Sequence, residues 1–558
     1  MGRAVAYGYR YGEVELPKLP NTKPNTKFMT NGKIKRDITR RAAVATSLGC
    51  HVEGACLPHP DPTDPDTTWA GVIKRFASQT PVADSARVGR LRAFVRSWLK
   101  KNLEPLKPDT DISVPTWLEH ASYPQWRKEE LAECHANTEG DVWSNPKLRK
   151  CKSFMKDEFY AEFKHARAIN ARTDQFKCVV GPIFHQIEKK VFQHPAFIKK
   201  VPVHERPAYI YDRVYRVGGT YVATDYTSFE ALFTRQLMMA VEIELYAYMT
   251  SSLPFHPEFM RICDEILAGR NTCKFRDFSV DIDATRMSGE MCTSLGNGFS
   301  NLMFMEFLCD EVGATHAIGV VEGDDGLYRV EGPCPTVEDF ASLGLVIKLD
   351  HHDQLETASF CGLVFDLEDQ INVTDPIQAL MKFGWTSGSY SVAGEKKLLV
   401  LLRAKAMSLK HQFNGCPILD ELANYALRIT AHVPRRSVLK QIESQVKNVD
   451  SGWWDRQKME QAILFSLPSR PVGDRTRLLV ERLYHVPVEL QHAIEAYLRS
   501  LTVNQPLDMG IFLGSVKRDW ESYWNAYVLR PAADEVLKTR LDRGPYSNHV
   551  KEFDSWKE

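Results

Sequence analysis

The sequence predicts an α+β fold in which a strand-rich centre lies between helical flanks. Three observations carry that prediction. Residues 215–370 alternate strand-like and helix-like patterns. From about 70 to 140 helix-like segments dominate, "ARVGRLRAFVRSWLKKNL" among them, and helical periodicity returns after 395 in "EKKLLVLLRAKAMSLKHQF" and "VELQHAIEAYLRSL". At 558 residues the chain is too long for one ordinary core, so several subdomains or one large composite fold are expected.

Composition narrows the class. Apolar residues make up 44% and charged residues 25%, the values of a globular protein rather than a disordered one. The formal net charge is zero, but it is unevenly spread. Residues 1–60 are basic, with "GKIKRDITRR" as the densest run, and residues 147–190 carry many Lys and Arg with interleaved Phe and Tyr. Basic edges around an acidic, β-rich middle suggest a protein that holds a polyanion and does metal chemistry on it. "LPHPDPTDPDTT" (57–68) reads as a Pro/Asp linker. Twelve cysteines show no CxxC pair, which points to reduced thiols. The irregular "CHVEGACLPH" is a poor match to a zinc site. No run of 18 apolar residues appears, and "MGRAVA" has Ala6 where a myristoylation signal wants Ser or Thr.

The chemistry-bearing stretch is "VVEGDDGLYRV" (320–330). Two short apolar runs broken by Gly-Asp-Asp-Gly predict a tight β-hairpin. Asp324 and Asp325 at its tip allow two readings, solvated acids or a divalent-metal site. The second needs another carboxylate. "YVATDYTSFEALF" (221–233) offers Asp225, at the end of a strand "YVAT" and before a helix "SFEALFTRQLMMAVEIELYAYM". Taken alone, Asp225 reads equally well as an acid near a helix N-terminus. Together with Asp324 it would clamp two Mg²⁺ ions about 3.5–4 Å apart, the arrangement for in-line phosphoryl transfer. Mg²⁺ accepts a few carboxylates completed by water and substrate phosphates. Between the two acidic stretches, "MSGEMCTSLGNGFSNLMF" (287–304) spaces Thr293, Asn297 and Asn301 at four-residue intervals on one helix face. Its apolar residues bury much of that helix, so the polar stripe needs hydrogen-bond partners. Gly296 and Gly298 permit close backbone approach.

In order along the chain, these segments resemble the motifs of viral RNA-dependent RNA polymerases. "TDYTSFE" resembles motif A, "SGEMCTSLGN" motif B, "EGDD" motif C, "LGLVIKL" motif D and "SFCGLVF" motif E. Upstream, "FMKDEFYAEFKHARAINAR" (154–172) resembles motif F. The nearest resemblance is to tombusvirus-like and nodavirus-like enzymes of positive-strand viruses, with picornavirus-like features in "FMKDE" and "DYTSFE". It covers roughly residues 147–370.

The resemblance implies a right-handed polymerase of fingers, palm and thumb, with an antiparallel palm sheet and a helical thumb. The implied division is 1–140 N-terminal extension and fingers elements, 141–214 fingers with a basic NTP-entry segment, and 215–245 palm. A fingers insertion (246–284), the rest of the palm (285–370) and a thumb with C-terminal tail (371–558) follow. It implies templated RNA synthesis from NTPs with release of pyrophosphate. Asp225, Asp324 and Asp325 are the implied catalytic and metal-binding acids, for two Mg²⁺ ions with Mn²⁺ as a substitute. Lys348 is the implied general acid. Lys156, Lys164, Arg167 and Arg172 would line the path by which NTPs enter, and Ser288, Gly289, Thr293 and Asn297 would recognise ribose and template. Phe360, Cys361 and Gly362 would form a turn under the primer end.

The family pattern has Asp where this chain has Glu230. Glu230, Asn297 and Ser288 or Thr293 are expected to form one hydrogen-bonded set around the incoming 2′-hydroxyl. The implied partners are single-stranded RNA template, nascent RNA duplex and NTPs, plus a viral or host membrane-tethering protein. No intrinsic transmembrane segment is expected. The implied location is host cytoplasm at membrane-associated replication complexes. Two other classes compete. A reverse transcriptase is disfavoured by the Ser-Gly…Thr…Asn pattern. A decayed, purely RNA-binding palm is disfavoured by the intact acids.

Overall fold

The structure, a computed structural model, describes residues 21–30, 45–53, 60, 62, 65–121, 123–138, 140–160, 164–446 and 470–510. Cys56 and His59 lie outside them. The strands are β1 (Lys27–Thr30), β2 (Ala45–Ser47), β3 (Cys151–Met155), β4 (Ala168–Ala171), β5 (Thr220–Tyr226), β6 (Arg270–Lys274), β7 (Phe278–Asp283), β8 (His316–Glu322), β9 (Asp325–Glu331), β10 (Ile347–His352) and β11 (Trp385–Ser387). They form a five-stranded sheet in the order β1-β7-β6-β3-β4, a four-stranded sheet in the order β10-β5-β9-β8, and the pair β11-β2. The four-stranded sheet is antiparallel throughout. The five-stranded sheet has one parallel pair, β3 with β6.

Alternation along the four-stranded sheet separates two cores. Val222, Tyr226, Tyr328, Val330 and Val321 join the larger core, with the helices Ser85–Asn102, Asp174–Val191 and Thr293–Val312. Tyr221, Ala223, Leu327 and Val320 point the other way, into a core with Ile210, Val214 and Phe360. A period of two places successive side chains on opposite faces, and here both faces are buried. After β10 the chain is mainly helical. Pro376–Phe383, Glu395–Gln412, Leu419–Ile429, Asp474–Tyr484 and Val488–Ser500 enclose a core of their own. Leu48, Cys50 and Val52 from near the N-terminus enter that core.

The long helix expected after Asp225 is three short ones: Phe229–Leu232, Arg235–Ala240 and Glu242–Thr250. Phe233 takes an extended backbone, φ −72° and ψ 104°, and Thr234 caps the next helix by accepting from the Leu237 N–H at 3.3 Å. Val241 interrupts again at φ −121°, ψ −82°. Side-chain capping by Thr competes with helix continuation, a local choice that apolar periodicity does not reveal. A second helix, Pro65–Gly71, begins within the stretch read as a linker.

The expected hairpin forms, with Glu322 opposite Asp325 and a two-residue turn of Gly323 and Asp324. The left-handed residue is Gly323, φ +62°, rather than the Asp-Gly pair that follows. Glycine as the first central residue is the mark of a type II′ turn. Within the hairpin Gly319 faces Tyr328. A Cβ at Gly319 would stand 2.6 Å from the Leu327 carbonyl and 2.8 Å from Tyr328 Cε1. Gly319→Ala is therefore expected to destabilise the fold by about 1–3 kcal/mol, as overpacking does. A thermal melt of the purified variant checks this.

Candidate active site

Strand register assembles the acids. β5 pairs with β9 from Thr220↔Val330 to Thr224↔Gly326. Continued by one residue, that register brings Asp225 level with Asp325. On the other side of β5, Asp225 is the partner of Lys348 in β10. Asp324 occupies the turn itself, and the turn is held from behind. Asn301, fully buried in helix Thr293–Val312, donates from Nδ2 to the carbonyls of Gly323 (3.3 Å) and Asp324 (3.0 Å). Arg206 pairs with Glu322 at 2.5 Å on the other flank.

The carboxyls feel their crowding. Burial first, then the charge of Asp324, and then those of Asp225 and Glu322 push the Asp325 carboxyl up to about 7, against a hydrogen bond from the Cys361 thiol. Asp324 is also raised, by desolvation and then by Glu230, with Arg167 and Arg75 pulling the other way. Asp324 is accessible to water at the hairpin tip and still desolvated by surrounding protein. Among the described residues no three His, Cys, Asp or Glu side chains are grouped tightly enough to hold a metal ion unaided. The acids are instead a partial set of hard oxygen donors. Their mutual repulsion is what a divalent cation would relieve, and Mg²⁺ keeps several sites for water and phosphate. The donor chemistry fits that ion.

Cys361 (φ +52°) and Gly362 (φ +73°) form a turn closed by reciprocal bonds between Phe360 and Leu363, at 2.9 and 3.0 Å. Two successive left-handed residues define a type I′ turn. It brings Cys361 to Asp325, whose charge, with burial as the larger cause, raises the thiol.

Across from the acids lies the loop between β3 and β4. Glu158 organises it. Arg167 grips Glu158 with two bonds of 2.7 Å, Tyr160 donates to it at 2.6 Å, and Lys156 Nζ lies at 3.1 Å. Burial opposes ionisation of Glu158, but Arg167, Tyr160 and Lys156 together bring its carboxyl down to about 2. Arg167 remains 39% exposed, and its charge reaches Asp324. Lys164 is exposed on the same loop. Arg75, which the sequence reading missed, sits in a π-helical turn, Val72–Phe76, beneath this loop. Its Nε is buried without a hydrogen-bond partner, and its charge also acts on Asp324. π-Helical turns concentrate at functional sites, though a sequence seldom announces them.

Arg172 is a correction. Its side chain is 1% exposed and bound to Glu290 (2.5 Å), Asn271 (2.5 Å) and the Arg149 carbonyl, with Phe176 under its guanidinium. A group so enclosed does not line a path for nucleotides. Lys348 is 69% exposed and pairs with Asp350 at 2.9 Å, which raises its ammonium.

The expected sugar-reading set is only partly assembled. Ser288 donates to Glu230 at 3.2 Å. Asn297 does not meet Glu230, because its Oδ1 accepts from Arg286 Nε at 2.8 Å. Thr293 serves the loop before its helix, accepting from the Gly289 N–H (3.3 Å) and donating to the Met287 and Glu290 carbonyls. Gly289 adopts φ +114° where β4 comes close, and a Cβ there would stand 3.2 Å from the Asn170 carbonyl. The partner of Arg286 is Glu242, at 2.7 Å. Two acids, Glu242 and Glu244, interrupt the apolar run "LMMAVEIELY", and that was the available signal for that pair, since a buried carboxylate needs a cation.

No curated protein matches the chain. The family described as "Viral RNA dependent RNA polymerase" matches residues 160–505, well over half of the chain. The matched span contains all three acids, Arg167, Lys348 and the 288–301 segment. The chain therefore belongs to the viral RNA-dependent RNA polymerases, nucleotidyltransferases that build RNA from NTPs on an RNA template.

Proposed function

We propose that this polymerase copies single-stranded RNA at the end of the four-stranded sheet, where Asp225, Asp324 and Asp325 converge. That convergence, faced by Arg167, is the observation that carries the reading. The four-stranded sheet is the palm, the five-stranded sheet belongs to the fingers, and the helices after 371 form the thumb. Asp225 and Asp324, with Asp325 in support, would hold two Mg²⁺ ions, or Mn²⁺ in their place. Such ions supply Lewis-acid stabilisation of the attacking and leaving oxygens.

The residues of the chain do the rest. Lys156, Lys164, Arg167 and Arg75 neutralise the triphosphate, and the forked donors of arginine suit phosphate oxygens. The 3′-hydroxyl of the growing strand loses its proton to water as its oxygen bonds to the α-phosphorus. The bond from that phosphorus to the bridging oxygen breaks, and pyrophosphate leaves with the electron pair. Lys348, the register partner of Asp225, would give that pyrophosphate a proton. Glu230 with Ser288, and Asn297 held apart from them by Arg286, read the ribose. The I′ turn at Cys361 and Gly362 supports the primer end. Action at membrane-associated replication complexes in the host cytoplasm, through a viral or host tethering protein, belongs to the same proposal. Among the described residues no helix is long and apolar enough to cross a membrane.

Asp225→Ala and Asp324→Ala are each expected to abolish synthesis while leaving RNA binding nearly intact. Primer-free synthesis by the purified full chain on a defined RNA, with Mg²⁺ and four NTPs, measures this, and near-normal turnover in either variant would sink the assignment. Arg167 and Arg172 should part company. A charge-assisted hydrogen bond contributes about 1.5–3 kcal/mol, so Arg167→Ala should raise the KM for NTPs at least tenfold, and more than it weakens template binding. Arg172→Ala should instead cost about 3–5 kcal/mol of stability by stranding the buried Glu290. Steady-state kinetics and denaturant melts of both variants separate the two effects.

A further inference from the structure

Arg286 immediately precedes the Met287–Ser288–Gly289 loop, and its side chain is 0% exposed. Its Nη2 lies 2.7 Å from Glu242 Oε2, on a side chain 1% exposed. The Tyr246 hydroxyl donates to that same oxygen at 2.9 Å. The guanidinium rests on the Phe233 ring, 4.4 Å from its centroid, and the Arg286 backbone N–H donates to the Glu230 carbonyl at 3.1 Å. Gly296 makes room for this cluster, since a Cβ there would stand 2.6 Å from Arg286 Nη2 and 2.9 Å from the Tyr246 hydroxyl.

Beyond Glu242, Arg286 reaches the Cys292 sulfur from Nη1 at 3.9 Å and Asn297 through the 2.8 Å bond from Nε to Oδ1. A guanidinium carries five donors and no acceptor. The edge of the Asn297 amide that faces it must therefore be the oxygen. Nδ2 is turned away and makes no hydrogen bond with the described residues. An asparagine amide is nearly isosteric with its flipped form, so only its partners decide which way it stands.

We propose that Arg286, anchored by Glu242, is a positioning residue for sugar choice: it holds the Asn297 amide with Oδ1 inward, so that Nδ2 is offered to the 2′-oxygen of the incoming ribonucleotide. This rests on the assignment of Asn297 as a reader of the sugar. With Nδ2 donating, the hydroxyl proton of the sugar is free for an acceptor such as the Glu230 carboxylate, which Ser288 steadies at 3.2 Å. Without Arg286 the amide would spend part of its time flipped, with its oxygen toward the sugar. The site would then lose a donor that a deoxynucleotide never uses.

The test measures kcat/KM for one NTP and for its 2′-deoxy analogue, with the full chain copying a defined single-stranded RNA in Mg²⁺. The variants are Arg286→Gln, Asn297→Ala and the two combined, with a thermal melt of each to establish folding. Sites built to bond a substrate hydroxyl discriminate strongly, so each single variant should shrink the NTP/dNTP ratio by about tenfold or more, chiefly through lost NTP use. The combined variant should have the ratio of Asn297→Ala alone, because Arg286 acts through that amide. If Arg286→Gln reduces use of both sugars equally while Asn297→Ala shrinks the ratio, the positioning role is overturned and the sugar assignment stands. If Asn297→Ala leaves the ratio unchanged, the sugar assignment fails and the positioning role fails with it. Should Arg286→Gln not fold, the near-isosteric Glu242→Gln removes the charge that anchors Arg286. It should shrink the ratio in the same direction, and an unchanged ratio there, beside a shrunken one in Asn297→Ala, overturns the proposal.

Discussion

Like charges held at one point repel, and this fold holds three there. The pairing of β5 with β9 sets Asp225 level with Asp325, and the turn of the hairpin adds Asp324. None of the three can retreat. Both faces of the central strands β5 and β9 are buried, and acids stationed at their ends are fixed by backbone hydrogen bonds rather than by their own rotamers. Asn301 adds a clamp on the turn carbonyls, and the carbonyl and amide oxygen of Asn301 lie 3.4 and 3.5 Å from the Tyr328 hydroxyl in the core. Burial, and then the charge of Asp324, raise the Asp325 carboxyl in this arrangement. A site that stores negative charge in this way is prepared to meet cations and, behind them, phosphates.

The two most enclosed ion pairs near the site flank one loop. Arg172–Glu290 lies on one side of Ser288 and Gly289, and Arg286–Glu242 on the other. β4 contributes a third restraint, the bond from the Asn170 N–H to the Ser288 carbonyl at 2.6 Å. Buried pairs are poor sources of stability, because desolvation offsets most of their attraction, but breaking one is costly. Their effect is to penalise displacement. A loop that is to hold side chains in one fixed geometry benefits more from that penalty than from added hydrophobic area.

Much of this was legible in the sequence. The hairpin around Asp324 and Asp325, the strand carrying Asp225 and the helix carrying Asn297 all follow from periodicity and turn residues, because those signals are local. The misreadings came from partners far apart in the chain. Arg172 looked like one more cation of a basic segment, and only tertiary structure brings Glu290 and Asn271 around it. Asn297 was placed beside Glu230, and Arg286 claims it instead. Arg75, 249 residues before Asp324 in the numbering, carried no signal at all. The break of the expected helix at Phe233 belongs to the same class, since nothing nearby in the sequence says what its freed carbonyl will meet.

That carbonyl shows how the parts hold one another. A helix break exposes a polar group that must find a partner if it is buried. The Phe233 carbonyl accepts from the Thr285 N–H at 3.0 Å and from Lys23 Nζ at 3.0 Å. Lys23 also donates to Thr285 Oγ1 at 2.8 Å, and burial brings its ammonium down to about 7. A lysine kept in so dry a place needs those acceptors. Its own segment is fixed a few residues on, where β1 pairs with β7 at the edge of the five-stranded sheet. Thr285 is the neighbour of Arg286, and Phe233 supplies the ring on which Arg286 rests. The N-terminal segment and the helix break thus meet at one carbonyl, and the buried arginine packs on the ring of the same residue. An element from the beginning of the chain thereby supports the loop that carries Ser288 and Gly289.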